Sequence, residues 1–508
     1  MGQAREMKHF LDSVHGTIDI PRDWCDSIID TPEFQRLRRI EQNSCRSVYP
    51  SARHDRFIHS LGVYHLGDKI ATHIDQNFHD VLPDNADLVL NTYRVACLLH
   101  DVGHTPFSHT FEQFFNFDAI LNEVTKLLES QDKETAYGND VLKCEEQPAP
   151  HELLSAWLSL KVMRGYFDEP HQESIDWELL ARMITGCKYH KEDGIAHNFE
   201  NAMIELLHGE IIDADGLDYV CRDTWAGGYK NYSLNVERLI SSIRIVKEGE
   251  EYKVVYSSKA LNEIESVLNI KNFQKLYVLK HHKVLLEQHM LVEAMKTVAC
   301  HLLGKETEDF DERENALRTL CDYTMFVKPK ELPNKKYVIF RPTDDDFIAL
   351  LKQDLPLNSL AEQWFSHHFT MTSLWKSKLE FFNVFSKMFD SLSDGSKNDV
   401  IKIIGSDGCQ ATIADKKNLT RQGVYVEEIK PKYRRLSADK ILVQLNGQVL
   451  PFSELKHDSF TVMGTNTPYC YVYVNSENID RADIPQFKKE IIRLIKDYVS
   501  DFIRNNWN

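Results

Sequence analysis

The sequence has ten cysteines but no CxxC pair, no run of 18 apolar residues and no excess of basic charge. Each absence excludes something. Scattered cysteines in a chain of 508 residues read as reduced and mostly buried, so neither a disulfide frame nor a thiolate zinc site is expected. Without an apolar run of spanning length no membrane segment is expected. Segment 1–10 is charged and lacks the apolar stretch of a secretory signal, so the expected location is cytoplasmic. The formal charge of −17 argues against duplex DNA as a partner, because such binders neutralise phosphates with basic surface. Single-stranded nucleic acid stays compatible. So does a small polyanion, since a local metal and a few lysines can outweigh the global field. There is no internal repeat and no low-complexity tract.

What is present is an ordinary folded composition, 42% hydrophobic and 27% charged, in a chain long enough for two or three domains. From Asp30 to about Cys300 the pattern is helical. Thr31-Pro32 reads as a helix start, followed by Phe34, Leu37 and Ile40 at helical spacing. Asn91-Thr92 is expected to cap a second helix, which should stop near Thr105-Pro106. A further helix is expected over 202–212, a break at Gly227-Gly228, and one or two long helices over 262–303. Segment 132–149 is polar and turn-rich and reads as a surface insertion. Beyond about residue 325, Pro329, Pro333 and Pro342 punctuate a switch to short β-like runs such as 337–340. Segments 441–445 and 448–452 flank Asn446-Gly447 as a hairpin, 469–474 is a strand, and 485–503 is an amphipathic closing helix.

The helical half holds more His and Asp than packing requires. These lie in Arg53-His54-Asp55-Arg56-Phe57-Ile58-His59-Ser60, in the stretch from His100-Asp101 through His104 to His109, in His151-Glu152, and in Ile212-Asp213-Ala214-Asp215-Gly216-Leu217-Asp218-Tyr219. His100-Asp101 ends a nearly continuous apolar helix. A carboxylate and an imidazole there need partners, and a metal ion would satisfy both. Mixed imidazole and carboxylate ligands suit a divalent transition metal (Mn, Fe, Ni or Zn), with Mg also compatible. His104 follows His100 by one helical turn and would face the same side. A single His on such a helix is more often a satisfied core residue, and Asp215 alone could be an N-cap. The combined set is what points to a metal site.

These segments resemble the HD-domain superfamily of metal-dependent phosphohydrolases, whose signature is H…HD…D. More closely they resemble the deoxynucleoside triphosphate triphosphohydrolases. Segments 31–38, 56–63, 100–109 and 215–223 are similar to that family's motifs, and the resemblance covers roughly residues 10–300. It implies a mainly α fold, with an HD-domain helical catalytic core over 1–325 and a smaller α+β C-terminal lobe over 326–508 for oligomerisation or regulation. Carried over position by position, His59, His100, Asp101 and Asp215 would be the metal ligands. His104, His109 and His151 would line the phosphate side, with Glu112 and Glu152 orienting imidazoles. Arg56 would hold a phosphate. Gln42 and Asp223 would bond the sugar 3′-hydroxyl, and Tyr219 would exclude a ribose 2′-hydroxyl. Asp30, Gln35 and Arg38 occupy the positions where the resembled enzymes bind an activating nucleotide between subunits, with Arg36 or Arg38 supplying charge for its phosphate. A homo-oligomer (dimer, tetramer or hexamer) is therefore implied.

The expected reaction converts a dNTP and water to deoxynucleoside and inorganic triphosphate, with His109 as general acid and His104 as runner-up. One departure matters. Relatives commonly carry Lys or Arg directly after the last ligand Asp, and this chain has Gly216. Lys230, Lys280 or Lys283 could supply the missing cation. Three rivals stay open: an HD phosphodiesterase acting on cyclic or linear oligonucleotides, a nucleoside monophosphate phosphatase, and a non-enzymatic nucleotide-sensing or nucleic-acid-binding scaffold.

Overall fold

The computed structural model describes residues 6–130, 135–190, 198–209, 212–229, 234–305, 307, 309–332, 338–389, 392–420, 423–429, 440–455 and 468–506. The chain divides into two compact units, and the division does not fall at a single point near residue 325. Met1–Lys271, Ala294–Pro356 and Leu436–His457 make the first, while Asn272–Glu293, Leu357–Arg435 and Asp458–Asn508 make the second. The C-terminal hairpin illustrates the difference. Leu442–Leu445 and Gln448–Pro451 pair antiparallel as expected, with Asn446 and Gly447 both at positive φ. However, Leu442–Leu445 also pairs in parallel with Glu251–Ser257, which anchors it in the first unit.

The first unit is mainly helical. Asp55 caps the helix Arg56–Phe78 by accepting from Ile58 N at 3.0 Å, and that helix packs against Ala86–Leu99 and Ala214–Gly227. Pro150–Lys161 packs against Phe117–Glu129 and Trp177–Thr185. These helices bury nearly whole faces, Val95–Leu99 being fully enclosed, which explains the continuous apolar run there.

Several expectations need correction. The helix expected to start at Asn91-Thr92 starts at Ala86 and ends at Leu99, with His100 as its C-cap. Asn91 and Thr92 are instead bridging groups: Asn91 Nδ2 donates to Ser174 O at 2.8 Å, and Thr92 Oγ1 accepts from Asp176 N at 2.9 Å. Segment 132–149 is not merely surface, although 132–134 lie outside the described residues. It carries the helix Tyr137–Lys143, whose Tyr137 is fully buried and whose Asp140 pairs with buried Arg182 at 3.0 Å. The helical half also holds strands. Met7–Asp12 pairs with Gly16–Pro21, and Ile243–Glu248 pairs with Glu251–Ser257. The helix expected over 202–212 runs from Asn198 to Leu207, with 210 and 211 outside the described residues. Of the strand expected over 337–340, Val338–Ile339 forms and residue 337 lies outside the described residues.

The second unit centres on Tyr469–Asn475, the middle strand of an antiparallel sheet between Met371–Ser373 and Val424–Ile429. Its residues Tyr469–Val474 are all buried, and the helices Lys378–Phe389, Asp394–Gly405, Asp407–Lys417 and Ile484–Asn506 pack into that core together with Leu285, Leu286, Met290 and Trp375. Among the described residues no helix is long and apolar enough to cross a membrane.

Candidate metal centre and active site

The four expected ligands arrive from three helices and converge. His59 comes from the first turn of Arg56–Phe78, His100 and Asp101 from the end of Ala86–Leu99, and Asp215 from the first turn of Ala214–Gly227. The N-cap of that last helix is Asp213, whose carboxylate accepts from Gly216 N, so Asp215 is free to face the site. His59 Nε2 stands 3.0 Å from Asp215 Oδ1, 3.4 Å from His100 Nε2 and 3.8 Å from Asp101 Oδ2. His100 Nε2 lies 3.6 Å from Asp101 Oδ2 and 3.8 Å from Asp215 Oδ1.

This donor set fits a divalent ion. Two imidazole Nε2 atoms and the Asp101 carboxylate meet in one buried spot, with the half-buried Asp215 carboxylate at its edge, where a hard or borderline cation would balance the acids. The rear of each imidazole is tied down, as ligand histidines require: His59 Nδ1 donates to Asp218 Oδ2 at 2.7 Å, and His100 Nδ1 to Cys97 O at 3.0 Å. Burial disfavours charge on His59, but its bonds to Asp215 and Asp218 outweigh this and hold its pKa up at about 10. Asp101 is buried as well, yet the Arg56 guanidinium and His100 hold it well below the usual carboxylate range.

Arg56 is committed within the chain. It donates to Asp101 Oδ2 at 2.7 Å, to Ser108 Oγ at 3.1 Å and to Gln42 O at 3.3 Å. The His104–His109 turn carries backbone strain, with Phe107 and Ser108 both at positive φ. Buried Asp344 pins it, accepting from Phe107 N at 2.6 Å and from Glu41 N at 3.0 Å.

Beside the quartet, His104, His109 and His151 form a second cluster, with ligand-type atoms all within 4.8 Å of one another. His104 stacks on His151 at 4.3 Å, and among the described residues neither of its ring nitrogens has a hydrogen-bond partner. Glu112 serves the other two, with Oε2 2.5 Å from His151 Nδ1 and Oε1 3.3 Å from His109 Nδ1. Burial, then the Arg56 and His151 charges, depress the pKa of His104 well below its usual value. Burial opposes charge on His151 too, but Glu112 raises its pKa to about 9. Glu152 does less for the imidazoles than expected. Its Oε2 accepts from Ala149 N at 2.7 Å, closing the start of its own helix, while Oε1 is 4.0 Å from His151 Nε2.

The expected sugar-side residues are less uniform. Gln42 is buried, and among the described residues its Oε1 has no hydrogen-bond partner. Asp223 Oδ1 is taken by His54 Nε2 at 2.7 Å. Tyr219 lies against Lys271, whose Nζ is 5.3 Å from its ring centre. The expected regulatory residues already have partners within the chain. Asp30 pairs with Lys8 at 2.9 Å, Gln35 Oε1 accepts from Arg38 Nε at 2.9 Å, and Arg38 lies 3.5 Å over the Phe57 ring. Arg36 is buried and donates to Pro342 O, Val102 O and His104 O, so it is unsuited to a phosphate in solution.

Two groups of residues were given no role in the sequence reading. Lys271 Nζ lies over Gly216, where a Cβ would come within 2.3 Å of it. Of the lysines considered for that task, Lys280 and Lys283 belong to the second unit and Lys230 lies outside the described residues. Asp218 and Arg222 follow Asp215 at helical spacing, a periodicity that could have flagged them.

Residues 56–146 match the family model of the HD domain. An uncharacterised protein of Methanocaldococcus jannaschii, MJ1154, is 28% identical over 290 residues, 57% of this chain and 49% of that protein. The deoxynucleoside triphosphate triphosphohydrolase SAMHD1 of Xenopus laevis is 26% identical over 309 residues, 58% of this chain and 46% of that protein. A phosphohydrolase structure from Bacteroides thetaiotaomicron shares the fold at a TM-score of 0.59 and 19% identity, covering 92% of this chain and 99% of that one. The chain spans about half the length of the first two relatives.

Proposed function

We propose that this protein is a metal-dependent dNTP triphosphohydrolase, converting a dNTP and water to deoxynucleoside and inorganic triphosphate. The observation that carries the reading is the placement of an ion-holding quartet beside an imidazole trio. His59, His100, Asp101 and Asp215 would hold the ion, and a bound divalent ion supplies an acidified water and a polarised phosphoryl oxygen. The chain's own groups do the rest. Water adds at the α-phosphorus, the bond to the 5′-oxygen breaks, and that oxygen takes a proton from His109. His104 is the weaker candidate for acid because its surroundings keep it neutral. Glu112 orients His109 and His151, and the side chain of His109 is 59% exposed, accessible to a leaving group.

Lys271 fills the role that Gly216 leaves vacant, presenting an ammonium beside Asp215 to the substrate's phosphates. The lysine-to-methionine change Lys271→Met should raise KM for the triphosphate roughly tenfold, the worth of one hydrogen bond to a charged group. An unchanged KM would return the phosphate role to another cation. A nucleotide bound between subunits at Asp30, Gln35 and Arg38 completes the reading, with Arg38 and Gln35 exchanging their mutual bond for the ligand.

The second reading, an HD phosphodiesterase, is favoured by the trio itself, since three imidazoles within 4.8 Å could hold a second ion beside the first. The deciding experiment incubates metal-loaded protein with dNTPs, NTPs and cyclic dinucleotides and resolves the products. Deoxynucleoside with intact triphosphate supports the first reading. Linearised dinucleotide supports the second, and monophosphate with pyrophosphate contradicts the assigned bond.

A further inference from the structure

The metal quartet is backed by a buried network that begins in the N-terminal hairpin. Asp12 ends one strand and Gly16, at φ +78°, starts the next, so the turn between them is tight. Asp12 Oδ2 accepts from His15 N at 2.8 Å and from Val14 N at 3.2 Å, which fixes the turn. From this turn His15 Nε2 reaches Asp218 Oδ1 at 2.6 Å. Asp12 meets Arg222 in a fork, Nη1 to Oδ1 at 2.9 Å and Nη2 to Oδ2 at 3.2 Å. Arg222 grips Asp218 in a second fork, Nε to Oδ2 at 2.8 Å and Nη2 to Oδ1 at 2.9 Å. Asp218 in turn receives His59 Nδ1 at 2.7 Å.

Burying two carboxylates, a guanidinium and two imidazoles is costly for a fold that needs only to staple a hairpin, and apolar packing would do that task as well. Asp218 is fully buried, Arg222 is 2% exposed, and even the helix opposite makes room: a Cβ at Gly62 would lie 1.9 Å from Asp218 Oδ1. The network's direction is informative, because it ends on the rear nitrogen of a ligand imidazole. A hydrogen on His59 Nδ1, held by Asp218, leaves Nε2 as the lone-pair donor facing Asp101 and Asp215.

We propose that His15 and Asp12 are positioning residues of the metal centre: through Asp218 and Arg222 they fix the orientation and tautomer of His59, so that divalent-ion affinity depends on the hairpin turn. The inference rests on the quartet being a metal site. The experiment is competition of metal-stripped, full-length protein with a chelator for Mn²⁺, paired with thermal denaturation of the metal-free protein. His15→Ala should weaken Mn²⁺ binding by roughly 10-fold, at the lower end of outer-shell effects, and His15→Gln, whose amide can still donate to Asp218, should recover most of it. Ile18→Ala is the control, destabilising the same hairpin from its buried face without touching the network. If His15→Ala does not fold, His15→Asn, too short to reach Asp218, takes its place. Equal metal affinity in wild type and His15→Ala overturns the proposal and leaves the metal site standing. So does a loss that merely tracks stability, with Ile18→Ala as weak as His15→Ala. A wild type that binds no Mn²⁺ overturns the metal site itself, and this proposal with it.

Discussion

The quartet and the trio lie next to each other and are built on opposite principles. In the quartet every imidazole has its rear nitrogen bonded, and the bond to His59 is backed by a chain of carboxylates and a guanidinium reaching the N-terminal hairpin. In the trio, His104 has no hydrogen-bond partner at either nitrogen among the described residues, His109 is largely exposed, and a single carboxylate, Glu112, serves two rings. Ligands must be held in one geometry to bind an ion tightly, whereas groups that move protons must be free to gain and lose partners. One cluster is arrested and the other is poised. On the function proposed above, the difference separates holding an ion from moving a proton among residues that are all histidine and acid.

That contrast can be broken most severely at the quartet. Asp101→Ala should abolish both ion binding and hydrolysis, measured by metal analysis and product formation, since it removes a ligand and strands Arg56. At the trio, His109→Ala should leave the metal content unchanged while turnover falls roughly 10²–10⁴-fold, the usual range for a lost general acid. Loss of metal from that variant would erase the distinction between the clusters.

The smallest effect sharpens the comparison through pH. The raised pKa of His151, about 9 against an ordinary 6.5, means its pairing with Glu112 stabilises the fold fully below pH 6.5. That stabilisation fades as the pH rises through 9. Glu112 is depressed below its ordinary 4.5, so its share is present above that value and lost as the pH falls further. The pair therefore contributes most between about 4.5 and 6.5. Glu112→Gln should lower the melting temperature most in that window and least above pH 9, as melting curves across pH would record. A pH-independent deficit would mean that Glu112 acts by packing alone.

How much of this was legible follows from where the partners sit in the chain. His100 and Asp101 announce themselves because they close a nearly continuous apolar run, and His59, Asp215, His104 and His109 because they lie in short segments dense in His and Asp. The hairpin at Asn446-Gly447 and the strand from Tyr469 were readable for the same local reason, a turn signal and an apolar run. The bonds from His15 to Asp218, from Asp12 to Arg222 and from Lys271 toward Asp213 join residues far apart in sequence, and no periodicity encodes them. The Asp12–Gly16 turn in fact went unread as a hairpin, because its strands are short and half exposed. Asn91 and Thr92 misled for a related reason. Residues that suit a cap are equally suited to bridging two helices, and only the fold decides between those uses.

The most direct test strips the protein with chelator, measures dNTP hydrolysis, and then returns a divalent transition ion in increments up to saturation. Hydrolysis should be absent without the ion and should rise until about one ion per chain is bound, with Asp101→Ala unresponsive throughout. Full activity of the stripped protein in the continued presence of chelator would contradict metal-dependent hydrolysis at the quartet.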